Sequence, residues 1–240
     1  MRMNRIVILL LLLATSLYAA DNEVYIDQSG ATSNLDIEQV GGSGNIIGGS
    51  DATAGASNMT PLDLDGATMT LDVLQKGSTN KFLGDIWADN YTGYFSFIGD
   101  SNTFNMSTDE TNATGADGSN VNVQVTGNTN TMTLNHAMTA LAANLDLDWI
   151  VQGGGNSITA SIDVDGATNY MDIDGNDNTV TYDGDGYAGG YFYLDHTGGS
   201  RTFNIDQEST QDNDWLKITS SGSNGTVCVT QSDSGNSFVC

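Results

Sequence analysis

The stretch that decides the fold is Val121-Asn-Val-Gln-Val-Thr-Gly-Asn-Thr-Asn-Thr-Met-Thr-Leu134. Apolar and polar residues alternate at both of its ends, and a period of two indicates β-strands. Between the two runs lie Gly127 and Asn130. Both residue types tolerate the positive φ angles that a tight turn requires. The stretch therefore predicts a strand, a short turn and a second strand.

The same unit recurs along the chain. The residues that close its turns lie at positions 80, 102, 130, 156, 178 and 201, which are 22, 28, 26, 22 and 23 residues apart. Such a period is typical of solenoids, because one unit has too little apolar surface to fold alone and stacked copies build a continuous core. We expect an all-β fold, an elongated β-solenoid or stacked β-arcade of irregular 22–28-residue strand–turn–strand repeats.

The N-terminus has a different composition. Arg2 and Arg5 precede the unbroken apolar run Ile6–Leu13, and small or mildly polar residues follow up to Ala20. This is the layout of a secretory signal peptide, and the run is shorter than the roughly 20 residues that span a bilayer. We expect residues 1–20 to be a Sec-type signal peptide and residues 21–240 to form one repetitive β-domain without a membrane span. The mature protein is then extracellular or on the cell surface.

The charge balance is strongly acidic. The chain has 30 Asp and Glu against 6 Lys and Arg, and the loss of Arg2 and Arg5 with the signal leaves 4 basic residues and a net charge of −26. These basic residues are Lys76, Lys81, Arg201 and Lys217. Such a surface repels phosphate backbones, so nucleic acid is excluded as a partner.

The unit Gln-x-Gly-x-x-Asn, flanked by alternating strands, resembles the repeat of curlin, the subunit of curli amyloid fibres. Gln75–Asn80 and Gln231–Asn236 have this spacing, Gln28–Asn34 and Gln39–Asn45 have one residue more, and Gln152–Asn156 has one fewer. The resemblance implies a secreted, non-enzymatic structural or adhesive protein, a functional amyloid of a surface or biofilm matrix. It also implies self-association through these Gln and Asn side chains. The alternative is a self-contained β-solenoid that shares only the turn chemistry.

Pairs of aspartates two residues apart lie on several expected strands. Residues with this spacing share one face of a strand, and stacked carboxylates suit Ca²⁺. The candidate ligands are Asp163, Asp165, Asp172, Asp174, Asp183 and Asp185. We favour a solvated acidic face without a cofactor, because the known calcium-loop motifs are missing. The alternative is an extracellular calcium- or carbohydrate-binding module, of the cell-surface or phage-appendage type, with a surface or polysaccharide partner.

No catalytic constellation stands out in the sequence. His136 and His196 are the only histidines, and neither lies near a cysteine or a Gly-x-Ser-x-Gly motif, so we expect both in surface or loop positions. Paired carboxylates keep a polysaccharide-cleaving enzyme as a third alternative. Solenoid lyases that act on acidic sugars use basic residues, however, and this chain has very few. We therefore expect no enzymatic activity.

Cys228 and Cys240 are the only cysteines. If the chain folds back symmetrically about Ser234, the two residues face each other on neighbouring strands, within the reach of a disulfide. We expect this bond in the exported protein, where it would contribute about 3 kcal/mol by restricting the unfolded chain. An arch across the core and an intermolecular bond through Cys240 are the alternatives, and mass spectrometry distinguishes them.

Overall fold

The structure is a computed structural model that describes residues 23–30, 32–48, 62–108, 118–136, 142–186, 189–209 and 214–232. Within these ranges there are strands and turns but no helix, and hence no helix that could cross a membrane. The strands are β1 (Glu23–Val24), β2 (Asp27–Ser29), β3 (Thr32–Ser43), β4 (Ile46–Ile47), β5 (Leu62–Ser78), β6 (Lys81–Ile98), β7 (Thr103–Thr108), β8 (Asn120–Thr126), β9 (Thr131–His136), β10 (Ala142–Ala143), β11 (Asp146–Gln152), β12 (Ser157–Asp165), β13 (Thr168–Asp174), β14 (Thr179–Gly186), β15 (Tyr191–Thr197), β16 (Arg201–Ser209), β17 (Trp215–Ser221) and β18 (Gly225–Ser232).

The strands stack as the coils of a β-solenoid. Every pairing between the described strands is parallel, and each coil contributes to two opposed faces. Face A consists of β3, the second parts of β5 and β6, β8, β11, β13, β15 and β17. Face B consists of β1, β2, β4, the first parts of β5 and β6, β7, β9, β10, β12, β14, β16 and β18. The predicted all-β solenoid is confirmed.

The core lies between the two faces. Alternate residues of each strand point inward, as the strict burial alternation of β11 and β12 shows. Phe82 of face B packs edge-on against Phe95 of face A, with 5.0 Å between the ring centroids. Trp149 of β11 is also fully buried. The period-two pattern of the sequence therefore corresponds to one buried and one outward row of side chains on each face.

The turns from face A to face B that follow β5, β6, β8, β11, β13, β15 and β17 share one backbone geometry. In the turn Gly127–Asn130, Gly127 has φ 143° and Thr129 has φ 57°. A Cβ atom on Gly127 would lie 2.1 Å from the carbonyl oxygen of Gly99 in the preceding coil. Glycine is needed there because of both the φ angle and this close approach. The recurrent glycine of the sequence thus permits the backbones of successive turns to stack.

Candidate functional site: the stacked turns and the end coils

A row of buried asparagines runs along the solenoid at the turns, and we call it the asparagine ladder. The backbone N–H of Asn102 donates to Oδ1 of Asn130 at 2.7 Å, and the N–H of Asn130 donates to Oδ1 of Asn156 at 2.9 Å. Corresponding bonds of 2.9–3.3 Å connect the remaining neighbours in the ladder. Its members are Asn45, Asn80, Asn102, Asn130, Asn156 and Asn178.

The ladder also closes the individual turns. The Nδ2 atoms of Asn80, Asn102 and Asn156 donate to the carbonyl oxygens of the turn glycines three residues earlier, at 2.8–3.0 Å. These bonds give the backbone carbonyl at the start of each of these turns a hydrogen-bond donor. The ladder ends at Asn178, because Arg201 occupies the corresponding position in the next coil. Asn80, Asn102 and Asn156 thus each stabilise their own turn and connect it to a neighbouring coil, whereas Nδ2 of Asn130 donates to Asn156 in the next coil and Nδ2 of Asn178 is buried without a partner.

The predicted glutamines form a shorter row. Nε2 of Gln75 donates to Oε1 of Gln39 at 2.8 Å, and both side chains are buried on face A. The next coils place Phe97 and Val125 at this position, so the amide row does not continue. The structure therefore places Gln39, Asn45, Gln75, Asn80 and Asn156 in hydrogen-bonded rows, as the stacking of equivalent turns predicts.

The other predicted turn residues lie elsewhere. Gln28 is on β2 beside Leu64, and Asn34 is exposed on β3, since this pair brackets the corner from face B to face A. Gln152 is exposed at the end of β11. Gln231 lies on β18 of face B, where its Nε2 donates to the carbonyl oxygen of Asp214 at 3.1 Å. Asn236 lies outside the described residues.

The expected surface or loop positions of the histidines are wrong, because both side chains point into the core from strands. His136 is fully buried on β9, with Nδ1 3.0 Å from Oγ1 of Thr108. Its Nε2 has no hydrogen-bond partner, and burial lowers its pKa to about 4. Nε2 of His196, on β15, donates to the carbonyl oxygen of Gly175 at 3.1 Å. Burial also lowers the pKa of His196.

The six candidate calcium ligands do not converge. Asp172 and Asp174 lie on β13 of face A, on the opposite side of the molecule from the other four. On face B, Asp163 is adjacent to Asp185. Burial and the neighbouring carboxylates raise the pKa of Asp163 to about 6. In the part of the chain that the structure describes, no group of three or more His, Cys, Asp or Glu side chains could hold a metal ion.

The structure adds carboxylate neighbours that the sequence did not indicate. Asp63 lies between Asp27 and Asp85 in register, and Asp183 lies beside Asp206. Burial, followed by the charges of Asp85 and Asp27, raises the pKa of Asp63. These neighbours are 22–36 residues apart in the chain. Because only the register between coils brings them together, the local sequence carries no signal for them.

Aromatic side chains cluster on the outer surface of face A near its C-terminal end. The rings of Tyr170 and Tyr193 are almost parallel with centroids 5.0 Å apart, and Nζ of Lys217 lies 5.0 Å from the Tyr193 centroid. Tyr191 and Trp215 stack beside them at 4.8 Å. We call these residues the outer aromatic cluster. It combines apolar ring surface with one cation on an otherwise acidic molecule.

The coils at the two ends of the stack leave core positions exposed. Val227 and Val229 on β18 are 42% and 41% exposed, whereas Phe203 and Ile205, their register partners in the preceding coil, are fully buried. In the other end coil, Val24, Ile26 and Leu35 are only partly buried. Among the described strands, β17 pairs only with β15 and β3 only with β5, so one edge of each has no partner within the described residues. Open strand edges are templates for pairing with another chain.

Cys228 lies on β18 and is buried. Its predicted partner, Cys240, lies outside the described residues, as do residues 1–20 of the predicted signal peptide. The disulfide and the signal peptide therefore stay predictions. No family model matches this sequence, and no curated protein or solved structure matches it significantly.

Proposed function

We propose that this protein is a secreted, non-enzymatic structural or adhesive protein of a cell surface or extracellular matrix that self-associates as the subunit of a curli-like fibre. The proposal rests on the exposure of apolar core positions in the two end coils. In both coils apolar core positions are exposed or only partly buried, whereas the same positions are buried in the coils between them. A parallel stack of this kind is extended by adding further coils, because each new coil pairs the open edge and covers the exposed core.

The asparagine ladder supports the same function. In-register amide side chains with hydrogen bonds along the stacking axis are a feature of cross-β assemblies. Here the bonds connect turns of one chain, and each bond lies parallel to the direction in which a fibre would grow. The chain thus contains this type of hydrogen bond between its own coils, although the ladder stops at Asn178, before the two C-terminal coils.

Electron microscopy and X-ray fibre diffraction of the purified chain 21–240 test the proposal. We expect filaments or ordered oligomers with a meridional spacing of about 4.8 Å, the distance between hydrogen-bonded strands. Sedimentation at increasing protein concentration gives the size of the assemblies. A strictly monomeric protein at high concentration, under every salt condition, contradicts the proposal.

Export is tested separately by expressing the full chain in a bacterial host and fractionating the culture. We expect the protein outside the cytoplasm with Asp21 as its first residue, or Ala20 if the cleavage occurs one residue earlier. A cytoplasmic protein that keeps its first 20 residues would contradict the secretory assignment. This result would leave the self-association of the purified chain untouched.

A second candidate function, binding of a polysaccharide, is favoured by the outer aromatic cluster. Aromatic side chains offer large apolar surfaces, and the carboxylates nearby accept hydrogen bonds from hydroxyl groups. Co-sedimentation with insoluble polysaccharides tests this function. We expect Trp215→Ala to abolish binding and Trp149→Phe, a change in the buried core, to retain it. No co-sedimentation of the unmodified chain, or equal binding by both variants, counts against this candidate.

A further inference from the structure

We infer that the outer surface of face A around the outer aromatic cluster binds a polysaccharide with free amino groups, and that it selects amino sugars over neutral and acidic ones. This inference rests on the proposed binding of a polysaccharide and specifies the chemical class of the ligand. It depends on three observations, which are the arrangement of the outward side chains, their charges and the pairing of the strands that carry them.

The outward side chains of β11, β13, β15 and β17 form a regular array, because the register between these strands has no shift. Aromatic rings occupy one part of this array, and they stack in pairs from strand to strand. Aspartates border the rings on two sides. They are Asp146 and Asp148 on β11, Asp172 and Asp174 on β13, and Asp195 on β15. The surface thus offers apolar ring area and negative charge side by side.

The carboxylates lie close to the rings. Oη of Tyr193 donates to Oδ2 of Asp195 at 3.3 Å. Burial, followed by the charge of Asp172, raises the pKa of Tyr170. The register also places Asp148 beside Tyr170, about 4.8 Å away in the preceding coil. This concentration of negative charge attracts a cationic ligand and repels the carboxylates of acidic sugars.

The chain itself contains one contact of the kind that an amino group would make. Nζ of Lys217 lies 5.0 Å from the centroid of the Tyr193 ring, within the range of a cation–π interaction. At the other end of this row, the ring of Tyr170 has the carboxylate of Asp148 as its neighbour. An aromatic ring and a carboxylate together are a favourable environment for an ammonium group.

A shallow groove beside the rings gives the sugar units further contacts. Its lining combines the apolar side chain of Ile150 with an amide, a hydroxyl and two carboxylates, which belong to Gln152, Thr197, Asp172 and Asp174. Sugar rings have apolar C–H surfaces and many hydroxyl groups, so a mixed lining of this kind suits them. The two carboxylates add a preference for a sugar that carries a positive charge.

A basic polypeptide is the competing cationic ligand, and the strand pairing disfavours it. β13 pairs with β11 and β15, and β15 pairs with β13 and β17, so the backbone edges of both strands are occupied. An extended peptide that adds to a sheet gains its affinity from main-chain hydrogen bonds at an open edge. An amino polysaccharide needs no such edge, because its contacts are made by C–H surfaces, hydroxyl groups and ammonium groups.

Binding of soluble oligosaccharides tests the inference. Isothermal titration calorimetry compares glucosamine oligomers with N-acetylglucosamine oligomers of equal length, in which acetylation removes the charge. The titrations use the chain 21–240 at a mildly acidic pH that keeps the amino groups protonated and most carboxylates ionised. We expect the amino oligomers to bind about tenfold or more tightly than the acetylated ones, and added NaCl to reduce this preference.

A pair of conservative substitutions tests the role of the bordering charges. Asp172→Asn combined with Asp195→Asn removes two neighbouring charges at nearly constant side-chain size. We expect this double variant to bind glucosamine oligomers about tenfold or more weakly, and acetylated oligomers as before. Asp36→Asn combined with Asp72→Asn is the matched control. These two aspartates are also neighbours and exposed on face A, but they lie far along the stack from the rings.

The outcomes separate the ligand class from the proposed binding function. Equal affinity for both kinds of oligomer, or an equal loss in the double variant and its control, overturns the amino-sugar inference while polysaccharide binding stands. If no oligomer and no insoluble polysaccharide binds, both are overturned. Displacement of the amino oligomers by polylysine at equal or lower concentration identifies a basic polypeptide as the better ligand and contradicts the inference. A preference for amino oligomers that is lost in the double variant and kept in the control supports it.

Discussion

The side chain of Asn130 forms hydrogen bonds with the coils on both sides of its own. Its Oδ1 accepts the backbone N–H of Asn102, and its own N–H and Nδ2 donate to Asn156 at 2.9 and 3.1 Å. Because the bonds connect three successive coils, the loss of this side chain affects a turn in a different part of the sequence. The ladder therefore makes the stability of each coil depend on its neighbours.

We expect Asn130→Ala to destabilise the chain by about 1–3 kcal/mol, because it leaves the buried N–H of Asn102 without an acceptor. Urea denaturation of the chain 21–240 measures this change. Asn105→Ala is the control, since Asn105 is exposed on the outward row of β7. Equal destabilisation by the two substitutions would show that the ladder adds no stability.

The buried His136 gives the fold a pH dependence. Its pKa is lowered to about 4 from 6.5 by burial, so the unfolded chain binds a proton at a pH where the folded chain does not. We expect stability to fall as the pH decreases from about 6.5 to about 4, by about 3 kcal/mol in total from this group, and to fall no further from it below that range.

The His136→Asn variant tests this contribution, because asparagine can still hydrogen-bond to Thr108 but does not titrate. The free energy of unfolding is measured for both proteins between pH 7 and pH 4. We expect the unmodified chain to lose more stability than the variant as the pH falls over this interval. Parallel curves would mean that His136 titrates alike in the folded and unfolded chains. Subtracting the curves removes the opposite effect of the raised pKa of Asp163, which favours the folded state as the pH falls.

At the scale of a single element, the turn from face A to face B is the most constrained part of a coil. Its first residue is a glycine, as in Gly127, and its third has φ near +60°, as in Thr129 and Asp177. The third position accepts side chains because nothing blocks its Cβ, whereas the first meets the carbonyl oxygen of the preceding turn. The two positions therefore differ in tolerance although both have positive φ.

We expect Gly127→Ala to destabilise the chain by about 3 kcal/mol or more, because its Cβ would overlap with the carbonyl oxygen of Gly99. Gly155→Asp is the matched control, since Asp177 occupies this third turn position in the next coil. We expect it to change stability by less than about 1 kcal/mol. Thermal denaturation followed by circular dichroism compares the two. If Gly127→Ala is tolerated as well as Gly155→Asp, the close approach does not limit the turn.

At the scale of the whole molecule, repulsion between carboxylates governs the electrostatics of the fold. Parallel stacking places aspartates such as Asp27, Asp63 and Asp85 in rows about one strand spacing apart. The chain carries few basic residues to offset them. The fold thus concentrates the negative charge of the sequence into lines along the solenoid axis.

We expect the melting temperature of the chain 21–240 to rise with either NaCl or CaCl₂, because both screen this repulsion. Melting curves in the two salts are compared at equal ionic strength. If Ca²⁺ alone raises the melting temperature, at concentrations far below those at which NaCl acts, specific calcium sites exist and our preference for a solvated acidic face is wrong. A melting temperature that is constant or falls with NaCl would contradict the screening argument.

The sequence determined the local features of this protein. Alternation along Val121–Val125 predicts a strand because the side chains of a strand point to opposite faces, whatever lies beyond it. The recurrent glycine and asparagine predict the turns because positive φ is a property of the single residue. The solenoid follows from both, since units this small have to stack to bury their apolar rows.

Only the tertiary structure decided which residues are neighbours across coils. The ladder step from Asn45 to Asn80 covers 35 residues and the step from Asn80 to Asn102 covers 22, so no fixed spacing identifies the partners. The expected surface or loop position of His136 is wrong for the same reason. Its side chain points into the core because of the register of β9 against β12. Alternation along a strand distinguishes its two faces, but the contacts between the coils decide which face is buried and which side chains meet there.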